Sequence, residues 1–188
     1  MELIASDSMT DSAVTNLVSA CQQGNRDAQR RLYEEFGQRV YQLAFRIVGS
    51  NDAEDLTQQI FLQVFQKLRQ FQGGSQFQTW LFRLATNECL MHLRSRQRKR
   101  EIEVLRSMAQ PGESVSASAQ VDAAELLETA LARLEPELRS IFVLREMENL
   151  NYQELSNVLE ISEGTVASRL NRARKQLREH LVDLGWEP

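Results

Sequence analysis

The feature that most constrains this chain is a helical recurrence of apolar residues, broken only at glycine, proline or small polar residues. Val14, Leu17, Val18 and Cys21 repeat at i, i+3, i+4, i+7 and stop at Gly24, whose missing Cβ suits a helix terminus. Asn25 is placed to cap a second helix carrying Ala28, Leu32, Phe36, Val40, Leu43, Ala44 and Ile47, up to Gly49. Asn51 or Asp52 is expected to cap a third, with Leu56, Ile60, Val64 and Leu68 on its inner side. After Phe71-Gln72-Gly73-Gly74-Ser75-Gln76, Ser75 is expected to cap a fourth helix running from about Phe77 towards Arg98. No segment alternates with the two-residue period of a half-buried strand. The predicted fold class is all-α.

Composition changes near residue 101. The stretch SMAQPGESVSASAQV is rich in Ser, Ala and Gln and lacks aromatics, which is linker composition. Beyond it, four short amphipathic segments are expected, at Ala123–Leu134, Pro136–Met147, Tyr152–Leu159 and Glu163–His180, with Pro136 suited to a first helical turn. A length of 188 residues accommodates two small domains. The expected organisation is a helical domain over 1–100, a flexible linker over 101–121 and a second helical domain over 122–188.

Several function classes drop out. No apolar stretch approaches the roughly 18 residues of a membrane span, so no membrane insertion is expected. The N-terminal MELIASDSMTDS has neither the basic region nor the apolar core of a secretory signal. Two cysteines, Cys21 and Cys89, favour a reducing cytoplasm over a disulfide framework. Cys89-x-x-His92 is the only ligand-like pair, too little for a zinc site. No nucleophile–base motif or phosphate loop accompanies it. The reading is of a non-enzyme, with no catalytic residues, metal or cofactor.

Charge is unevenly spread. The total of -4 conceals Arg94, Arg96, Arg98, Lys99 and Arg100 at the end of the fourth helix, and Arg169, Arg172, Arg174, Lys175 and Arg178 on the last. These two clusters hold 10 of the 22 basic residues, while Glu113 to Glu163 carries eleven acids against three arginines. One basic cluster alone is compatible with a solvated helix face. Two, one per domain, point to a bipartite contact with a polyanion.

Three local patterns give that contact a form. Tyr152 to Leu170 has helix-turn-helix spacing, with Leu155 and Leu159 inward, Ile161 in the turn, Ser162 as cap, and Val166 and Leu170 packing back. Thr165, Ala167, Ser168, Asn171, Arg172 and Lys175 are then available to a major groove. Ser156 stands where Ala is usual in such motifs. Glu160 stands where Gly is usual and denies the turn its easiest residue for a positive φ. On the third helix, Asp55, Gln59, Leu62 and Gln66 lie opposite the apolar side, which suggests a protein-docking face. On the fourth, Arg83, Asn87, Leu90 and Arg94 form one stripe, able to hold a phosphate backbone and hydrogen-bond a base edge. Trp80, Phe77 and Phe82 lie near it, with core packing the ordinary role for Trp80. Gly73-Gly74 either shapes a pocket or connects two helices.

The segments Asp52–Phe61, Phe71–Asn87 and Gly164–Arg174, in this order, resemble the extracytoplasmic-function (group IV) sigma factors of bacterial RNA polymerase. The resemblance extends from about Leu17 to Leu181. It implies region 2 in the first domain and region 4 in the second, with core RNA polymerase, through its β′ clamp helices and β flap, and promoter DNA as partners. An anti-sigma factor is also implied. Clamp binding would fall to Asp52, Asp55, Gln58, Gln59 and Leu62, Gln59 replacing a frequent Glu. Minus-ten recognition would fall to Arg83, Asn87, Arg94, Phe71, Ser75 and Phe77, with a base flipped into a pocket that includes Asn87. Thr165, Ser168, Arg169, Asn171, Arg172 and Lys175 would read the minus-thirty-five element. Ala167 replaces a frequent basic residue there, which shifts direct readout to Ser168, Asn171 and Arg172. The linker would thread the polymerase towards its active-site and RNA-exit channels. The implied function is transcription initiation at a specialised stress or envelope regulon. The competing reading is a stand-alone dimeric helix-turn-helix regulator, which has no need of the fourth-helix stripe.

Overall fold

The computed structural model describes residues 11–106 and 123–186. The first group of helices is α1 (Asp11–Gln22), α2 (Arg26–Val48), α3 (Ser50–Lys67) and α4 (Phe77–Arg106), with a short 3₁₀ turn at Leu68–Gln70. The second is α5 (Ala123–Ala132), α6 (Pro136–Glu146), α7 (Tyr152–Leu159) and α8 (Glu163–Asp183). No strand occurs among the described residues.

The apolar stripes of the sequence become the core. Leu32, Val40, Leu43, Ala44 and Ile47 of α2, Ile60 and Val64 of α3, and Leu81, Phe82 and Ala85 of α4 are essentially inaccessible. Burial of each of the larger of these side chains contributes about 1.5–3 kcal/mol before entropy is counted. Asn25 caps α2, its side-chain oxygen accepting from Ala28 N at 3.1 Å. Pro136 takes the first turn of α6, where its missing N–H costs nothing.

Three expectations change. Neither Asn51 nor Asp52 caps α3. Gly49, at φ +94°, is the single residue between α2 and α3, so α3 starts at Ser50. Ser75 does not cap α4: the Gln76 carbonyl accepts from Trp80 N, leaving the serine outside the first turn. The fourth helix also runs past Arg98 to Arg106, through Glu, Leu and Arg residues of good helix propensity. The first six residues of the expected linker are therefore helical, and 107–122 lie outside the described residues.

The two groups are packed together. α7 lies against α4, and α6 against α2. Ile141, Val143, Leu144, Leu155 and Val158 join the first group's apolar residues in one continuous core. Arg139 of α6 spans the junction. Its guanidinium donates to Ile47 O at 2.7 Å, to Leu134 O at 3.1 Å and to Ala132 O. A cation thus sits at the C-termini of both α2 and α5, where the helix dipoles favour it. Burial pushes its pKa down, with the nearby Glu128 carboxylate opposing that shift. Arg46 pairs with Glu128 at 2.8 Å and Arg39 with Glu148 at 2.7 Å, adding two further charged contacts across the junction.

Candidate nucleic-acid and polymerase interfaces

On α3, the residues expected to dock a protein lie at the surface. Asp55, Gln58 and Gln59 are exposed. Leu62 is 62 % exposed, the most accessible large apolar side chain among the described residues. A single exposed leucine is common on protein surfaces, so it gains weight only from the polar residues expected to act beside it. Asp52 differs from them. Its carboxylate accepts from Arg96 Nη1 at 2.8 Å and faces His92 Nε2 at 3.2 Å, which joins α3 to α4. Asp52 therefore has partners within the fold, unlike the exposed Asp55, Gln58 and Gln59.

The loop after the 3₁₀ turn is held from both sides. Gln22 Nε2 of α1 donates to Leu68 O at 3.0 Å and Phe71 O at 2.9 Å, a support that no periodicity argument singles out. Phe71, Phe77 and Trp80 form an aromatic cluster, with Phe71–Trp80 centroids 5.4 Å apart and Phe36 against Phe77 at 5.3 Å. Phe77 is buried at the bottom of this cluster. Packing against Phe36 makes this candidate minus-ten residue the floor beneath the loop. Ser75 and residues 72–74 are exposed at the tip.

Along α4, Asn87 and Arg94 are exposed and Arg83 is half-buried, at spacings that keep all three on one side of the helix. They line a cleft of about 770 Å³ together with Trp80, Lys67 and Gln70. The opposite wall belongs to the second group: Glu137, Ser140, Leu159 and Arg169. A second cleft, about 540 Å³, lies between the 71–76 loop and α7. Arg83 reaches Glu160 at 3.4 Å and Arg94 reaches Glu137 at 3.1 Å.

The helix-turn-helix is built as its sequence indicates, with one adjustment. Leu155, Val158, Val166 and Leu170 are buried, whereas Leu159 is only half-buried. Asn151 and Glu154 form a reciprocal capping box at the start of α7. Ser162 caps α8, accepting from Thr165 N at 3.2 Å. Ser156, in a position where alanine would pack as well, donates its hydroxyl to Ile161 O at 2.5 Å and ties the turn. Glu160 ends α7 in the left-handed region at φ 54°. That conformation costs a residue with a Cβ about 1 kcal/mol relative to glycine.

Ser168, Asn171, Arg172 and Lys175 are exposed on α8, and Thr165 and Arg169 are half-buried. The basic residues have partners within their own group: Arg172 with Glu135 at 2.8 Å, Arg174 with Glu146 at 2.7 Å and Lys175 with Glu179 at 4.0 Å. Arg169 alone of the α8 candidates lines the cleft that holds Asn87. Both thiols are buried, and burial pushes Cys89 up to about 12, far above a reactive thiol. No helix among the described residues is long and apolar enough to cross a membrane, and none of their His, Cys, Asp and Glu residues gather as a metal site.

Comparison with known proteins places these surfaces in a family. The sigma-70 region 2 profile matches residues 32–99 and the sigma-70 region 4 profile matches 124–177. The ECF RNA polymerase sigma factor SigE of Mycolicibacterium smegmatis is 38 % identical over 156 residues, covering 80 % of this chain and 60 % of that protein. The ECF RNA polymerase sigma-E factor of Haemophilus influenzae is 30 % identical over 191 residues, covering 95 % of this chain and 98 % of the relative. Among solved structures, the sigma factor RpoE of Bartonella quintana, in complex with the anti-sigma factor NepR, superimposes with a TM-score of 0.64. The two are 27 % identical, with 84 % of this chain and 98 % of that one covered. CnrH, solved with the cytosolic domain of CnrY, shares the fold at a TM-score of 0.67 and 24 % identity, over 91 % of this chain and 97 % of its own. With its two regions matched in order and a relative of near-equal length 30 % identical, this chain belongs to the extracytoplasmic-function sigma factors of the sigma-70 family.

Proposed function

We propose that the protein works as a dissociable specificity subunit of bacterial RNA polymerase, acting in the cytoplasm by binding and not by catalysis. In this reading residues 1–100 hold the polymerase-docking and minus-ten functions, 101–121 link, and 122–188 hold the minus-thirty-five function. Asp55, Gln58, Gln59 and Leu62 of α3 take the β′ clamp helices, and the second domain takes the β flap. Arg83, Asn87 and Arg94 hold the minus-ten strand, with Phe71 and Ser75 in the loop beside them and Phe77 beneath. Thr165, Ser168, Arg169, Asn171, Arg172 and Lys175 on α8 enter the major groove at the minus-thirty-five element. The observation that carries the reading is the separation of an exposed Leu62 docking face on α3 from the Arg–Asn–Arg stripe on α4. A stand-alone duplex-binding regulator needs neither.

The elements named minus ten and minus thirty-five lie about 25 base pairs apart, or roughly 85 Å at 3.4 Å per pair. Asn87 and Arg169 share one cleft, so the two groups of helices must separate before both elements are held. Polymerase binding supplies that separation. The sigma factor captured with the anti-sigma factor NepR supports a partner of the same kind here. The test is reconstitution with bacterial core polymerase on fragmented genomic DNA. New transcript start sites are expected, lost with Leu62→Asp through failed polymerase binding. Absence of new starts with active core would overturn the reading.

A further inference from the structure

Of the charges in the α4 cleft, two acids stand out because they come from the other half of the molecule. Glu160 sits at the end of α7 and Glu137 in the first turn of α6. Their carboxylates pair with Arg83 and Arg94, the first and last members of the stripe that carries Asn87 between them. Glu160 is also the residue for which the backbone offers least reason. Its φ of 54° is a glycine's conformation, and its side chain is 68 % exposed, so packing does not explain it. What it touches is Arg83.

We propose that Glu160 and Glu137 form an intramolecular cover that occupies the single-strand-binding arginines of α4 while the two halves are closed. This rests on the assignment of α4 to the minus-ten strand and adds a regulatory contact to it. A carboxylate on each arginine stands where a phosphate would lie, so DNA must displace both acids to bind. Between them, Asn87 faces a cleft whose far wall is α6 and the end of α7. The pairs are solvent-exposed, so they are individually weak and screened by salt. Such a cover yields readily once polymerase draws the halves apart, and it lapses without any covalent change.

The cations of α8 give the contrast that makes this specific. Arg172, Arg174 and Lys175 keep their partners whether the halves are closed or open, because those partners lie in the same group of helices. Of these two sets of candidate DNA-contacting cations, only the α4 stripe loses its acids on opening.

The experiment compares the full-length chain with Glu137→Gln/Glu160→Gln, without polymerase, for binding to a short fluorescent single-stranded oligonucleotide of mixed sequence. The double variant is expected to bind about fivefold tighter at low salt. That advantage should shrink as salt rises, because added salt screens the pairs that hold the wild-type arginines. Glu34→Gln/Asp183→Asn changes net charge equally but lies off the cleft, and should leave the affinity unchanged. Equal gains in the two double variants would reduce the effect to net charge and overturn the cover, as would no gain in either. Run-off transcription with core polymerase is measured on the same preparations. Wild-type transcription without the binding gain removes the cover and leaves the sigma assignment standing; no transcription from any preparation removes the assignment itself.

Discussion

The two basic helices of this protein carry similar charge and are neutralised in different ways. α8 meets its acids at home: Glu135 and Glu146 come from the segments packed on it, and Glu179 from the helix itself. On α4, Arg96 pairs with Asp52 in its own half, but Arg83 and Arg94, which flank Asn87, meet acids from across the molecule, Glu160 and Glu137. The first arrangement tunes a surface permanently. The second makes charge depend on how the two halves sit, so on the proposed opening the α4 stripe would be exposed and the α8 cations would not change. Net charge and even cluster size hide this difference; only the identity of the partner reveals it.

The largest expected effect breaks the comparison at its base. Arg139→Met keeps apolar volume but leaves the carbonyls of Ile47, Ala132 and Leu134 without their shared donor. Denaturant titration should show a loss of about 3 kcal/mol. The halves should separate more readily, exposing α4 while the α8 pairs persist. Next in size, Asn87→Ala should weaken binding of polymerase-bound protein to a minus-ten single strand about tenfold, a lost base-edge contact, while duplex minus-thirty-five binding holds. Comparing Arg83→Ala with Arg172→Ala sharpens the contrast further. The first should lower single-strand affinity chiefly in an Arg139→Met background, the second should lower duplex affinity equally in both backgrounds.

The smallest effects concern the turn between α7 and α8. Ser162→Ala should cost about 1 kcal/mol of stability through loss of the α8 cap. Glu160→Gly should raise the stability of that turn by a similar amount, since glycine adopts φ 54° freely. Thermal unfolding measured at high salt, where the Arg83 pair is screened, separates the backbone gain from the lost ion pair.

Much of this was legible in the sequence, and the boundary has physical causes. Asn25, Ser162 and Pro136 act as caps or first-turn residues because their effects are local, reaching three residues at most. The exposed polar face of α3 around Leu62 and the α4 stripe follow from helical spacing alone. The tie of Asp52 to α4 left no trace, because a capping aspartate and one that joins two helices look alike until Arg96 and His92 are brought beside it. The burial of Phe77 was equally hidden, because an aromatic beside a loop can point up or down, and Phe36, 41 residues earlier, decides it. The packing of α6 and α7 onto α2 and α4 leaves no periodic trace, since it joins faces that are each amphipathic by themselves. Glu160 was visible as a departure from glycine, but its partner was not.

The central claim is that polymerase opens a closed chain and uncovers α4. The direct measurement is the distance between spin labels on Ser95→Cys in α4 and Gln153→Cys in α7, both exposed, with the buried Cys21 and Cys89 resisting labelling. A single short distance is expected for the free protein, giving way to a distance tens of ångströms longer in complex with core polymerase and promoter DNA. The same short distance in both states would contradict the account.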